Sequence, residues 1–162
     1  MQQWAQAPPF NVAATMSQTE EIVAAVCSSK PCPRGEPVFF ALPDTWPADM
    51  WFLNFSNDFD ESLDNTTLPI GLRYLRFCKS FNQSLARTRF PDGLFTLTFG
   101  RDFNQPLDST KLPSGLHTMR FGAAFNQSLD QTTLPTGLRI LEFGFDFDQS
   151  LQNTELPTLW KH

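Results

Sequence analysis

The residue types and spacings of this sequence give little support for enzymatic chemistry. The 162 residues include only two histidines, His117 and His162. The sequence contains no motif that pairs a nucleophile with a base, and it has no phosphate-binding loop. We therefore expect a protein without enzymatic activity and without a cofactor, in which His117 is a solvated surface residue.

The three cysteines, Cys27, Cys32 and Cys78, are the remaining candidates for reactive or metal-binding chemistry. Their number is odd and no paired C-x-x-C spacing occurs, so the sequence predicts neither a metal site nor a disulfide framework. A bridge between Cys27 and Cys32 stays open as an alternative. Free thiols in a reducing cytoplasm are the favoured interpretation.

Charge and hydropathy argue against two classes of partner. The formal net charge is −5, and the 12 Lys and Arg residues are scattered among acidic ones, so no basic stripe follows a phosphate backbone. The N-terminus has no signal-peptide pattern, and the longest apolar run, Ile22 to Cys27, is too short to span a bilayer. We expect a soluble, cytoplasmic protein that binds neither nucleic acid nor a membrane.

The sequence repeats with a period of 22 residues. The consensus L-P-x-G-L-x-x-L-x-F-G-x-x-F-N-Q-S-L-D-x-T-x defines places 1 to 22 of each repeat. Residues 1–45 do not repeat, residues 46–155 form repeats 1 to 5, and residues 156–162 begin a truncated sixth repeat. The repeats begin at Trp46, Leu68, Phe90, Leu112, Leu134 and Leu156.

The spacing of apolar residues predicts short strands joined by tight corners. Apolar side chains recur at places 1, 5, 8, 10, 14 and 18, which fits neither an amphipathic helix nor one long strand. Places 8 and 10, as in Leu75 and Phe77, alternate like the inward positions of a strand. Pro at a favoured turn position and Gly at place 4 predict a corner before the strand, and small residues at place 11 predict another after it. One repeat buries too little to fold alone, so the repeats must stack as a solenoid.

The Phe-Asn-Gln segment offers a row of amides that could bind a ligand. Identical amides on stacked repeats can instead hydrogen-bond along the solenoid axis and satisfy backbone groups at a bend. We favour this structural role, and we predict the same for the Thr column at place 21. The amide columns comprise Asp60, Asn82, Asn104, Asn126 and Asp148 at place 15, and Glu61, Gln83, Gln105, Gln127 and Gln149 at place 16.

The recurrent segments L-P-x-G-L, F-G and F-N-Q-S-L-D-x-T resemble the FNIP repeat, a short leucine-rich-repeat-like unit. The resemblance extends from Trp46 to Leu156. It implies a mainly β, leucine-rich-repeat-like solenoid that serves as an interaction platform. BspA-like repeats also contain Phe-Asn-Gln, but their Trp and Met-Phe signatures are absent here at the matching places.

The two ends of the repeat array need covering. Ser17–Glu20 fits a helix capping box, and residues 21–26 would continue a short helix that caps the N-terminal end. A Pro-rich loop at 30–37 would lead to a first irregular strand at Val38–Leu42.

The truncated sixth repeat leaves three interpretations of the C-terminal edge. The chain could belong to a longer array, Leu159 and Trp160 could fold down as a lid, or two copies could associate through this edge. The lid is slightly favoured, because a buried Trp contributes a large apolar area.

Places 7 and 9 flank the inward place 8, so their side chains face outward, and they vary in type. Solenoids bind partners through such faces, where aromatic and Arg side chains dominate interface energies. We therefore predict a non-catalytic protein–protein interaction module. The alternative is a structural or ice-binding surface with Thr and Asn ladders, although only Thr96 and Thr98 form the expected Thr pair. The predicted partner-binding residues are Phe52, Asn54, Tyr74, Arg76, Thr96, Thr98, Thr118, Arg120, Ile140 and Glu142.

Overall fold

The computed structural model describes residues 38–39, 41–47 and 49–157. Their strands form one six-stranded parallel sheet in which every neighbour is the next strand in the sequence. A sheet of this order is the signature of a parallel β solenoid, and its 22-residue step confirms the predicted mainly β architecture. The strands are β1 Val38–Phe39, β2 Phe52–Phe55, β3 Tyr74–Arg76, β4 Thr96–Thr98, β5 Thr118–Arg120 and β6 Ile140–Glu142.

Several predictions about the chain ends lie outside the described residues. These are the capping helix at 17–26, the 30–37 loop, Cys27 with Cys32, and the lid of Leu159 and Trp160. The first strand is described, and β1 covers two residues rather than the predicted Val38–Leu42. Within the described ranges, no helix is long and apolar enough to cross a membrane.

The core consists of stacked columns of identical side chains. The phenylalanines of places 10 and 14 form a double stack, with ring centroids 4.0 Å apart between Phe77 and Phe81 and 5.6 Å apart between Phe77 and Phe99. Each ring is covered by rings of the neighbouring repeats, so its burial depends on stacking. Repeat 5 has no described repeat above it, and its Phe143 and Phe147 are only partly buried.

The first corner of each repeat is a β-turn that begins at the proline. In repeat 2 the Leu72 N–H donates to the Pro69 carbonyl over 3.1 Å, and the same bond recurs in all five repeats. Proline is thus the first residue of the turn and supplies its acceptor, whereas proline usually favours the second position. In repeat 1 Asp49 replaces the turn glycine, and the bond from Met50 to Pro47 is retained at 3.2 Å.

The second corner brings the backbones of successive repeats into contact at place 11. A Cβ atom on Gly122 would overlap the carbonyl oxygen of Gly100, and a Cβ on Gly144 would overlap that of Gly122. Glycine is required here by close approach of the chains rather than by its access to positive φ. This confirms the tight corner predicted from the small-residue column.

The third corner joins places 18 and 21, where the Thr88 N–H donates to the Leu85 carbonyl over 3.0 Å. The same bond recurs in every repeat. In repeat 1 this corner contains Asn65 with φ of 63°, a left-handed conformation that asparagine tolerates better than most residues.

Candidate functional site

The strand register places the predicted partner-binding residues in two outward columns. Tyr74 lies beside Thr96 in the sheet, and Arg76 lies beside Thr98. Thr118 is the exception to outward exposure: its side chain is 5% exposed, and its Oγ1 lies 3.3 Å from Nδ1 of His117. The other nine residues are exposed or half-buried, namely Phe52, Asn54, Tyr74, Arg76, Thr96, Thr98, Arg120, Ile140 and Glu142.

A row of aromatic rings runs across the sheet, and it shares Tyr74 with these columns. The ring centroids are 5.7 Å apart between Trp51 and Tyr74, 6.5 Å between Tyr74 and Phe95, and 4.6 Å between Phe95 and His117. Trp51 is 57% exposed, Phe95 42% and Tyr74 38%. We call these four residues, Trp51, Tyr74, Phe95 and His117, the aromatic row.

Three members of the aromatic row occupy place 6, which the strand-alternation argument did not select. The backbone bends where it enters the strand, because the N–H groups of places 6 and 7 both donate to one carbonyl of the preceding repeat. Phe95 and Thr96, for example, donate to the Arg73 carbonyl over 2.8 and 3.0 Å. Two consecutive side chains can therefore lie on the outer surface. The sequence did contain a signal for this surface. Place 6 varies between repeats and holds Arg or His in three of them, but it holds the aromatic residues Trp51 and Phe95 in the other two.

Charged side chains accompany the row. Arg73 lies at place 6 of repeat 2, and its Nη1 donates to the Gly93 carbonyl over 2.8 Å. Arg120 Nε and Glu142 Oε2 form an ion pair of 2.7 Å. Both groups of that pair are substantially exposed, so it contributes little to stability. Within the described residues, Arg76 has no salt-bridge partner.

The amide columns have the structural role predicted for them. The backbone N–H of Asn104 donates to Oδ1 of Asn82, and that of Asn126 donates to Oδ1 of Asn104, each over 2.9 Å. The side chain of Gln127 also donates to Asn104 Oδ1, over 2.9 Å. Only an acceptor oxygen is used at place 15, which explains why Asp60 can replace asparagine in the first repeat.

The Thr column at place 21 is structural too, but its hydroxyls do not bond to one another as predicted. Thr132 Oγ1 donates to Asp108 Oδ1 over 3.3 Å, and Thr154 Oγ1 donates to Asp130 Oδ1 over 3.0 Å. The acceptor is thus the place-19 carboxylate of the preceding repeat. The hydroxyls of Thr88 and Thr110 are buried without a partner.

Cys78 is a free, buried thiol at the crowded second corner. Its S–H donates to the Phe59 carbonyl over 3.0 Å, and desolvation by burial raises the pKa of the thiol. A raised pKa lowers the thiolate population, so this environment disfavours a nucleophilic role. Among the described residues, no group of three or more His, Cys, Asp or Glu side chains could hold a metal ion.

The fold and the repeated columns define a parallel β solenoid of leucine-rich-repeat type with an outward aromatic row. Residues 81–123 and 125–161 match the family model of the FNIP Repeat. The chain therefore carries FNIP repeats, as its sequence predicts.

A solved structure supports the leucine-rich-repeat relationship. The chain is similar to the crystal structure of CroV588, described as a novel circular LRR protein, with 30% sequence identity and a TM-score of 0.54. The alignment covers 74% of this chain and 21% of that chain, so this chain spans about a fifth of the length of its structural relative. No curated protein sequence matches the chain.

Proposed function

We propose that this chain is a non-catalytic protein-binding module that contacts its partner through the aromatic row and the outward strand columns. The observation that carries the proposal is the chain of ring contacts from Trp51 through Tyr74 and Phe95 to His117. Four repeats contribute to one exposed surface that none of them could form alone. Repetition of the core with variation at the surface is how solenoids build extended binding faces.

The chemistry of this face favours a protein partner. Trp, Tyr and Arg are the side chains most enriched among residues that dominate binding energy. Trp51 directly precedes β2 and its ring contacts Tyr74 on β3, and Arg76 is also on β3. Rings already held by contacts with neighbouring rings lose little conformational freedom on binding.

A matched pair of double variants tests the proposal. Tyr74→Ala with Phe95→Ala removes the centre of the aromatic row, whereas Ile70→Ala with Phe145→Ala removes two apolar side chains that are 90% and 96% exposed elsewhere. Quantitative affinity capture should show partners that bind the wild type and the control but are lost from the row variant. Equal retention by all three proteins, or equal loss from both variants, would refute the assignment of the face.

The structure gives the ice-binding alternative less support. The Thr column that could have formed a flat array is mostly buried, with Thr88, Thr110 and Thr132 between 3% and 5% exposed. Thr96 and Thr98 remain the one outward Thr pair on a strand. Thermal hysteresis of the purified protein measures this activity directly, and we expect none.

Three further proposals come from the sequence alone. We propose that the protein is cytoplasmic, that residues 17–26 form a helical cap, and that its partners include neither nucleic acid nor a membrane.

We also propose that the chain can self-associate through the C-terminal edge. This proposal is supported by the partial exposure of Leu141, Phe143 and Phe147 in repeat 5. Light scattering at several protein concentrations tests this association, and a concentration-independent monomer would reject it.

A further inference from the structure

The outward side of the sheet differs in charge from the rest of the chain. Places 6 to 9 are the residue that leads into each strand and the first three strand residues. In the five repeats these places contain four arginines and one acid, a net charge of +3. Because the whole chain has a net charge of −5, the remaining residues have a net charge of −8. The one acid, Glu142, pairs with Arg120, and the other three arginines, Arg73, Arg76 and Arg139, are exposed.

A groove continues this surface at the carboxyl ends of β2, β3 and β4. It has a volume of about 460 Å³, and no acidic residue is among the described residues that line it. Arg101 lies 4.0 Å from the exposed carboxylate of Asp102, whereas Arg76 and Lys79 form no salt bridge within the described part of the chain. We call this the cationic groove, and its walls include Asn54, Arg76, Lys79, Thr98 and Arg101.

The cationic groove lies beside the aromatic row. Tyr74 of the row and Arg76 of the groove are two residues apart on β3, which corresponds to about 7 Å along a strand. The row crosses four neighbouring repeats, so at ~4.8 Å per strand it is about 15 Å long. Roughly four to five residues of an extended chain cover that length. One short segment lying across the strands can therefore contact the rings and the cations together.

We propose that the partner binds this face through an acidic peptide segment, whose carboxylates enter the cationic groove and whose apolar side chains pack on the aromatic row. This inference rests on the proposed function and names the chemistry of its partner. Arginine pairs with carboxylates through parallel hydrogen bonds, and opposite charges across an interface accelerate association. Nucleic acid fits less well, because a long polyanion would extend from the face onto a chain whose remaining residues have a net charge of −8.

Selection of a random peptide library on the full chain tests the proposal, with synthetic peptides of the selected sequences as the probes. We expect these peptides to contain Asp or Glu beside aliphatic or aromatic residues, and to bind less tightly as the salt concentration rises. Selected peptides that need the aromatic row but lack carboxylates would overturn the acidic assignment and leave the proposed face intact. Failure to select any peptide, or binding that is insensitive to Tyr74→Ala with Phe95→Ala, would overturn both. A single-stranded DNA oligonucleotide that binds the same face more tightly than the peptides would assign the face to nucleic acid instead.

Two matched double variants locate the carboxylate contacts. Arg76→Gln with Lys79→Gln removes two cations of the groove and should weaken binding of a selected peptide by about tenfold or more, because charge-assisted hydrogen bonds are lost. Arg87→Gln with Arg89→Gln removes two exposed cations of the same repeat that do not line the groove, and should bind the peptide as the wild type does. Changing the peptide's Asp and Glu to Asn and Gln should weaken binding to the wild type but have little further effect on the groove variant. Equal weakening by both double variants would show general charge attraction and refute a localised contact.

Discussion

At the residue scale, neighbouring phenylalanines have opposite roles according to their place in the repeat. Phe99 is 4% exposed and stacks on Phe77, Phe103 and Phe121, whereas Phe95 is 42% exposed in the aromatic row. We expect Phe99→Ala to lower the free energy of unfolding by about 3–5 kcal/mol, because it leaves a cavity in the ring stack.

Phe95→Ala is the matched control for that substitution. As a surface change it should alter the free energy of unfolding by about 0.5 kcal/mol or less. Denaturant melts of the two variants measure the difference. Similar destabilisation by both would show that the inward and outward columns are wrongly assigned.

Asn104 provides a second residue-scale prediction, because its Oδ1 accepts from the Asn126 backbone and from Gln127. Asn104→Leu removes this acceptor and should destabilise the protein by about 1–3 kcal/mol. Asn104→Asp keeps an acceptor oxygen, as Asp60 does naturally toward Asn82, and should be close to neutral. Equal unfolding free energies for the Leu and Asp variants would show that the hydrogen bonds to Asn104 Oδ1 do not stabilise the fold. The amide column would then again be a candidate ligand-binding site.

At the scale of elements, individual corner glycines differ in how closely the neighbouring repeat approaches them. A Cβ on Gly122 would meet the Gly100 backbone at a distance that cannot be tolerated, whereas a Cβ on Gly137 would lie 3.6 Å from the Ser114 carbonyl, an ordinary contact. Gly122→Ala should therefore separate two repeats locally and cost about 1–3 kcal/mol.

Gly137→Ala should instead be neutral or stabilise by up to about 1 kcal/mol, because it restricts the unfolded chain. Thermal melts of the two alanine variants, measured in parallel, compare the corners directly. A neutral Gly122→Ala would show that successive repeats are not held in contact at the second corner.

The sequence was sufficient to predict the period, the inward columns and the amide ladder. Each of these depends on a residue type that recurs every 22 positions, and in a stacked array such recurrence places like groups together. The β-turn position of Pro69 and the bonding of Thr132 could not be read this way. Both depend on which backbone or carboxylate oxygen lies within hydrogen-bonding distance once the corner has closed.

At the scale of the whole molecule, the proposed function depends on groups that do not recur. The aromatic row combines place 6 of three repeats with place 7 of another, because both places face outward where the backbone enters the strand. Thr118, the buried member of its column, has its Oγ1 3.3 Å from Nδ1 of the non-recurring residue His117. The 22-residue period predicts the scaffold that all repeats share, but it cannot predict features that occur in one repeat only.

The central claim is that the aromatic row forms the contact surface with a protein partner. Its Trp, Tyr, Phe and His side chains react readily with hydroxyl radicals, so footprinting can report their exposure one residue at a time. The measurement compares side-chain oxidation in the free chain and in its complex with a captured partner. Phe145, which is 96% exposed and outside the row, is an internal control. We predict that oxidation of Trp51, Tyr74 and Phe95 falls in the complex while oxidation of Phe145 is unchanged. Protection of Phe145 with full oxidation of the row would contradict the claim.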